Sequence, residues 1–258
     1  WYRHLVFYLA QHFQYMPHSI LVAGSRLVTT LPFKRQGAWK YNNWSLICVI
    51  NCMLQNREYQ LTESIVFHKT TAEFGGLSNM AAGYSLNINN IIIPTAEHLY
   101  QACRFPHNPQ LQFAIISEPS PMKAKWIGRA HIHETRADWD AVRFKIMQWV
   151  LEVKLSQNWD SFATLLKATA NKPIVELAPK SKIWGAVKEG NKLVGVNALG
   201  RLLMHVREQY VIPAKQQRCV PPLEIPHFLF LDHPIEMVCN EDYYEEIRWS
   251  LFNEYSFA

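Results

Sequence analysis

The chain has 258 residues, 49% hydrophobic and 18% charged, without repeats or low-complexity tracts, which excludes collagen, coiled coil and bulk disorder and leaves room for one substantial core. Its net charge of +5 is unevenly placed: residues 1–218 hold 25 of the 26 Lys and Arg but only 13 of the 21 Asp and Glu, a basic body that suits a polyanionic ligand or an ordinary solvated surface equally well. The most apolar run, Trp44 to Leu54, falls short of the roughly 20 residues a membrane span needs, and five cysteines without framework spacing are expected as buried reduced thiols in a cytoplasmic protein.

In chain order, residues 1–64 mix β-leaning runs (Ser19 to Leu31, Ser45 to Met53) with a turn-forming cluster from Pro32 to Asn43, and read as an N-terminal extension. A central domain, 65–212, follows. Its expected strands are Ser64 to His68, Tyr84 to Ile93 and Pro173 to Leu177. Thr95 after Pro94 caps a helix to about Phe105, and Ser120-Pro121 opens another to about Ala130. Asp138 caps the longest, to about Gln157, with Val142, Ile146, Trp149, Val150 and Val153 on one apolar stripe. Asp160 caps a short helix ending near Lys167, and Asn197 caps the last, whose Leu199, Leu202, Leu203 and Val206 face the core. Residues 213–258 form a Pro-rich acidic tail expected to run extended over the domain, with helix only at Glu241 to Phe252. The fold class is α+β, predominantly helical, with short strands.

On the Thr95 helix Glu97, Gln101 and Arg104 share one face at i, i+4, i+7. A first-turn glutamate complements the helix dipole, and held rigidly it can also bind a ribose hydroxyl or act as a general base. The loop Phe74-Gly-Gly-Leu-Ser-Asn-Met80 offers Ser78 and Asn79 as polar groups beside glycines, or is simply a turn. Trp184-Gly185, followed by Gly190, Gly195, Asn197 and Gly200, places an indole that stacks on a planar base or fills a core. Lys69 precedes the Gly-rich loop, and Arg129 follows Lys125 by four residues on one helix face. HExxH, GxSxG, Walker and GxGxxG motifs are absent, and Cys48–Cys52 lacks a second ligand pair, so neither a metal site nor a cofactor is expected.

Taken in order, FHKTTAEFGGLSNM, PTAEHLYQACRF, KAKWIGRA, DWDAVRFKIMQWVLEVKLSQN, PIVELAPKSKIWGA and LVGVNALGRLLMHVRE resemble the NADAR family over roughly residues 65–210. The resemblance implies a YbiA-like domain and an N-glycoside hydrolase, acting either on ADP-ribosylated guanine in nucleic acid or on phosphorylated riboflavin-biosynthesis intermediates. It implies that Glu97 is catalytic or holds ribose, and that Asn79, Trp184 and Asn197 line the substrate pocket. It also makes Lys69 a nucleophilic amine; an adduct found on Lys123, Lys125 or Lys154 instead would reassign that role. The Trp-Gly-Ala, spacer, Leu-Val-Gly-Val-Asn-Ala-Leu-Gly pattern is similar to the guanine-acting members, whose role is antitoxin or repair beside an ADP-ribosyltransferase toxin. Three positions depart from the family: Ala178 and Ser181 stand where a serine and an aspartate are usual, and Met80 replaces the usual aromatic after Asn79 as a packing change; a degenerate ADP-ribose-binding module with weak turnover is the third reading.

Overall fold

In the computed structural model, which describes residues 54–256, chain entry is marked by β1 (Arg57–Gln60) and β2 (Ile65–Phe67). The β-leaning runs expected at Ser19 to Leu31 and Ser45 to Met53, with Cys48 and Cys52, lie outside the described residues. A hairpin follows, β3 (Leu86–Ile88) and β4 (Ile91–Ile93), turned by Asn89 and Asn90 at φ 50° and 65°. Two left-handed residues in succession are what a tight hairpin turn needs, and asparagine tolerates that region better than most side chains.

Five helices come next: α1 (Ala96–Ala102), α2 (Pro109–Ser117), α3 (Pro121–Ala130), α4 (Trp139–Gln157) and α5 (Thr164–Ala168). The π turn Trp159–Ala163 leads into α5, where a helix from Asp160 was expected. Strands β5 (Ile174–Glu176), β6 (Val187–Glu189) and β7 (Lys192–Gly195) precede α6 (Ala198–Val206). β2 and β5 pair in parallel, while β1, β7 and β6 form an antiparallel sheet in that order. The described residues thus build a mixed α+β body. Its core gathers Phe67, Leu99, Phe105, Ile146, Trp149, Val150 and Phe162 around α4.

Caps depart from expectation in an instructive way. Ser120 Oγ accepts from Lys123 N as an N-cap should, and Asn108 does the same for α2, a helix not among those expected from the sequence. Thr95 Oγ1 instead bonds His98 Nδ1 at 2.8 Å, and the Asp138 carboxylate is taken by the Arg136 guanidinium. At those two positions a side chain three residues on, or two before, outcompetes the helix N–H groups.

Beyond α6 the tail carries four two-residue strands, β8 (Cys219–Val220), β9 (Leu229–Phe230), β10 (His233–Pro234) and β11 (Val238–Cys239), then α7 (Glu241–Ser256). The expectation of reduced thiols is corrected here: Cys219 and Cys239 form a disulfide. They are directly opposed on antiparallel β8 and β11, a proximity that a spacing of 20 residues could not signal. Cys103 is free and fully buried, and burial pushes its thiol up to about 12. No helix among the described residues is long and apolar enough to cross a membrane.

Candidate active site

All seven residues of α1 are buried, so the polar face read from the sequence points into the protein. Glu97 is 5% exposed, and its backbone N–H donates to Asn79 O at 2.9 Å, which fixes the Gly-rich loop against the helix start. Gln101 Nε2 donates to Glu97 Oε1 at 2.9 Å, and Lys125 Nζ of α3 lies 3.4 Å from the same oxygen. Arg104 Nη1 donates to Gln101 Oε1 at 3.2 Å, and Nη2 to Thr135 Oγ1 at 3.1 Å. Glu97 is therefore held through a chain of oriented donors, while Oε2 has no protein partner among the described residues.

The close approach of α3 depends on Gly128, since a Cβ there would stand 2.6 Å from Gln101 Oε1. Lys125 is the outer member of the cluster, with 31% of its side chain exposed against 6% for Glu97. The site thus opens to solvent on the α3 side.

Glu176, the last residue of β5, belongs to the same cluster and was not singled out from the sequence. Burial pushes its carboxyl up to about 7, against the pull of Lys125 and reinforced by the charge of Glu97. The backbone around it is fixed by residues that were singled out. Asn197 is fully buried; its Oδ1 accepts from Glu176 N at 3.1 Å and its Nδ2 donates to Ile174 O at 2.8 Å. Gly185 packs against Glu176 O so closely that no side chain fits, and Ala186 N donates to that carbonyl at 2.8 Å. Both amide atoms of Asn197 are thus committed to the β5 backbone, and with Gly185 it acts on the site through Glu176. The available sequence signal was positional: an acid directly after two buried apolar residues in a strand.

Trp184 is half-buried in an aromatic wall. Its ring centroid lies 5.6 Å from Tyr100 in an edge contact and 5.0 Å from Phe144, while Tyr100 touches Trp139 at 5.2 Å. The Arg104 guanidinium sits 5.2 Å over Trp139. Burial, and then the charge of Glu97, push the Tyr100 hydroxyl far above its ordinary range. His98, on the same helix, is buried between Thr95 Oγ1 and Glu118 O, and desolvation lowers its pKa.

Around the Gly-rich loop the expected residues divide. Asn79 is 3% exposed; its Nδ2 contacts Met147 Sδ, and its Oδ1 is buried with no partner among the described residues. An acceptor so placed favours a hydroxyl or amide donor from outside the protein. Ser78 Oγ accepts from Met80 N at 3.2 Å, closing the turn. Lys154, 1% exposed, runs from α4 beneath this loop and donates to Gly76 O at 2.6 Å and Ser78 O at 3.2 Å, over the faces of Tyr84 and Phe162. Desolvation lowers its ammonium to about 7. Lys69 is exposed on the shoulder between β2 and the loop, its carbonyl accepting from Ala72 N. Arg129 is also exposed on α3, near enough for its charge to bear on Arg104. The structure therefore gathers Glu97, Gln101, Lys125 and Glu176, with Asn79 joined through its backbone. Among the described residues no group of three or more His, Cys, Asp or Glu side chains is placed to hold a metal ion.

Similar proteins cover this same span. A family model, NADAR domain, matches residues 66–210. N-glycosidase YbiA of Escherichia coli is 33% identical over 159 residues, 61% of this chain and 96% of its own length. An N-glycosidase of Nostoc punctiforme is 32% identical over 148 residues, covering 57% and 92% of the two chains. The riboflavin biosynthesis protein PYRR, chloroplastic, of Zea mays is 33% identical over 173 residues, 60% of this chain but 27% of that protein. The NMR structure of the Escherichia coli protein YbiA superposes with a TM-score of 0.51 at 30% identity, covering 60% of this chain and 90% of that one.

Proposed function

This chain belongs to the NADAR domain family and hydrolyses N-glycosyl bonds, and from that premise we propose that it releases ADP-ribose from modified guanine bases in nucleic acid. The observation that carries the chemistry is the pair Glu97 and Glu176, two carboxyls whose surroundings differ in kind. Glu97 lies beside Lys125 and accepts from Gln101, while burial pushes the Glu176 carboxyl up to about 7. Carboxyls with such different surroundings divide the roles of base and acid.

Cleavage of the bond between the anomeric carbon and the base nitrogen leaves positive charge on the sugar and a nitrogen that needs a proton. Glu176 supplies that proton to the departing nitrogen. Glu97 takes one from the attacking water, whose oxygen bonds to the anomeric carbon. The buried Asn79 Oδ1 accepts from a ribose hydroxyl, Trp184 with its aromatic wall bounds the planar base, and Gln101 keeps Glu97 aimed. The basic body of the chain suits a substrate that carries phosphates, and an ADP-ribosyltransferase is the class of enzyme that would make it.

A lysine amine is the alternative attacking group. Lys125 is the lysine 3.4 Å from Glu97, and Lys69 the one the family resemblance points to. Both water and amine mechanisms require Glu97, so Glu97→Gln should lower kcat by about 100-fold or more. Borohydride added during turnover separates them: a reduced ADP-ribose adduct on Lys125 or Lys69 assigns the amine, and no adduct assigns water. Wild-type turnover by Glu97→Gln would overturn the reading. The similarity to the Zea mays riboflavin biosynthesis protein favours one rival substrate, a phosphorylated riboflavin precursor. Product analysis decides: unmodified guanine in the strand plus ADP-ribose supports the proposal, whereas ribose phosphate plus a pyrimidine amine transfers the same site to the rival.

A further inference from the structure

Helix α3 presses Ala124 and Gly128 into the body, and helical geometry then sends Met122, Trp126 and Arg129 outward on one face. Trp126 is 56% exposed and Met122 44%. Lys125 flanks this face on the side that reaches Glu97, and Lys123 flanks it on the other. The helix carries no acid, and neither Lys123 nor Arg129 has an ion-pair partner among the described residues. Isolated exposed apolar residues are ordinary on a protein surface. A tryptophan between unpaired cations, one residue from the lysine that holds a site carboxylate, is a different arrangement: a π face with positive charge on both sides.

We infer that this face of α3 is a binding platform for single-stranded nucleic acid, on which Trp126 stacks a base neighbouring the reacting nucleotide while Lys123 and Arg129 take the flanking phosphates. Stacking on an aromatic ring combined with a basic track is how single strands are held without regard to sequence. Continuity with the site follows from the helix itself, since Arg129 lies between Trp126 and Lys125 around its circumference. A second copy of the chain fits this face less well. A two-fold contact would set Lys123 and Arg129 against like charges.

This inference rests on the proposed nucleic-acid substrate, so its test uses a probe with no scissile bond. A fluorescein-labelled oligothymidylate of about eight nucleotides, within the usual site size, is titrated into the full chain at low salt and read by anisotropy. Wild type should bind, Trp126→Phe should weaken binding only slightly, and Trp126→Ala should weaken it about 5- to 100-fold. Arg129→Gln and Lys123→Gln should each reduce the slope of log affinity against log salt by about 0.7. Trp126 is exposed, so an unchanged melting temperature shows that the alanine variant is folded. Absent binding by wild type at low salt, or equal binding by wild type and Trp126→Ala, overturns the platform. So does a wild-type dimer in sedimentation that Trp126→Ala dissociates, because a second copy then covers the face. Normal oligothymidylate binding alongside failure to cleave ADP-ribosylated guanine leaves the platform standing and refutes only the proposed reaction.

Discussion

Glu176 ends a strand whose two preceding residues are fully buried, and the burial that seats it also withholds water from its carboxyl. With its pKa raised to about 7, the native protein binds more protons than the unfolded chain between about pH 4.5 and 7. Its contribution to stability is therefore greatest below that window, declines as pH rises through it, and is level above. For a general acid the same titration makes activity fall as pH rises through about 7. Glu176→Gln should lower kcat by about 100-fold or more, abolish the alkaline limb of the pH–rate profile, and flatten the pH dependence of urea stability over that window. An alkaline limb that survives in the variant assigns the acid elsewhere. That Glu97 shares a face with Gln101 and Arg104 was legible from helical spacing, and its proposed role came from the family resemblance. Glu176 was not legible, because what shifts its proton is the convergence of α1, α3 and β5, which no local pattern encodes.

The packing of α3 against α1 shows how one backbone position tunes the site at the scale of elements. In an exposed helix Gly→Ala stabilises by about 1 kcal/mol. At Gly128 the added methyl meets Gln101 Oε1, the end of a flexible side chain, which can turn aside by giving up its bond from Arg104, a loss that offsets the helical gain. In turning it gives up its bond to Glu97. Gly128→Ala should hold the melting temperature within a few degrees while kcat falls about tenfold or more, as misplacement of a catalytic group does. Parallel loss of stability and activity would mean that the helices themselves are forced apart. Helices such as Pro121–Ala130 and Trp139–Gln157 were readable from caps and apolar stripes. Asn108-Pro109 carried the same kind of start signal for α2 and was passed over. β1 was invisible for a different reason: its partner β7 lies more than a hundred residues away, and short edge strands show little alternation.

Across the whole molecule, residues 213–256 lie beyond the family match yet are bonded to it at scattered points. Trp149 Nε1 donates to Pro221 O at 2.9 Å, Gln157 Nε2 to Cys239 O at 3.1 Å, and Gln112 Nε2 to Leu229 O at 3.1 Å. Arg136 bonds Pro226 O, and the Trp149 ring meets Phe228 at 4.9 Å. The Cys219–Cys239 disulfide closes this covering, and for a loop of its length it should stabilise by about 3 kcal/mol. Cys219→Ser with Cys239→Ser should lower the urea midpoint accordingly and leave kcat of the folded fraction near wild type, since neither cysteine touches Glu97 or Glu176. A proportional loss of kcat would tie the tail to the site. Composition led to the expectation of an extended Pro-rich tail, whereas the pairing of its two cysteines depended on strands too short to read.

The parallel pairing of β2 with β5 bears on the order in which the molecule comes together. His68 Nδ1 meets Leu177 O at 2.9 Å just past those strands, across 109 residues of sequence. Closing so long a loop costs chain entropy that local helices never face, and contacts of this kind form late in folding. Glu97 is set in a helix that forms from near neighbours, whereas Glu176 arrives with β5. The proposed acid and base therefore meet only when this long closure is made, so a partly folded molecule with most of its helices in place still holds the two carboxyls apart.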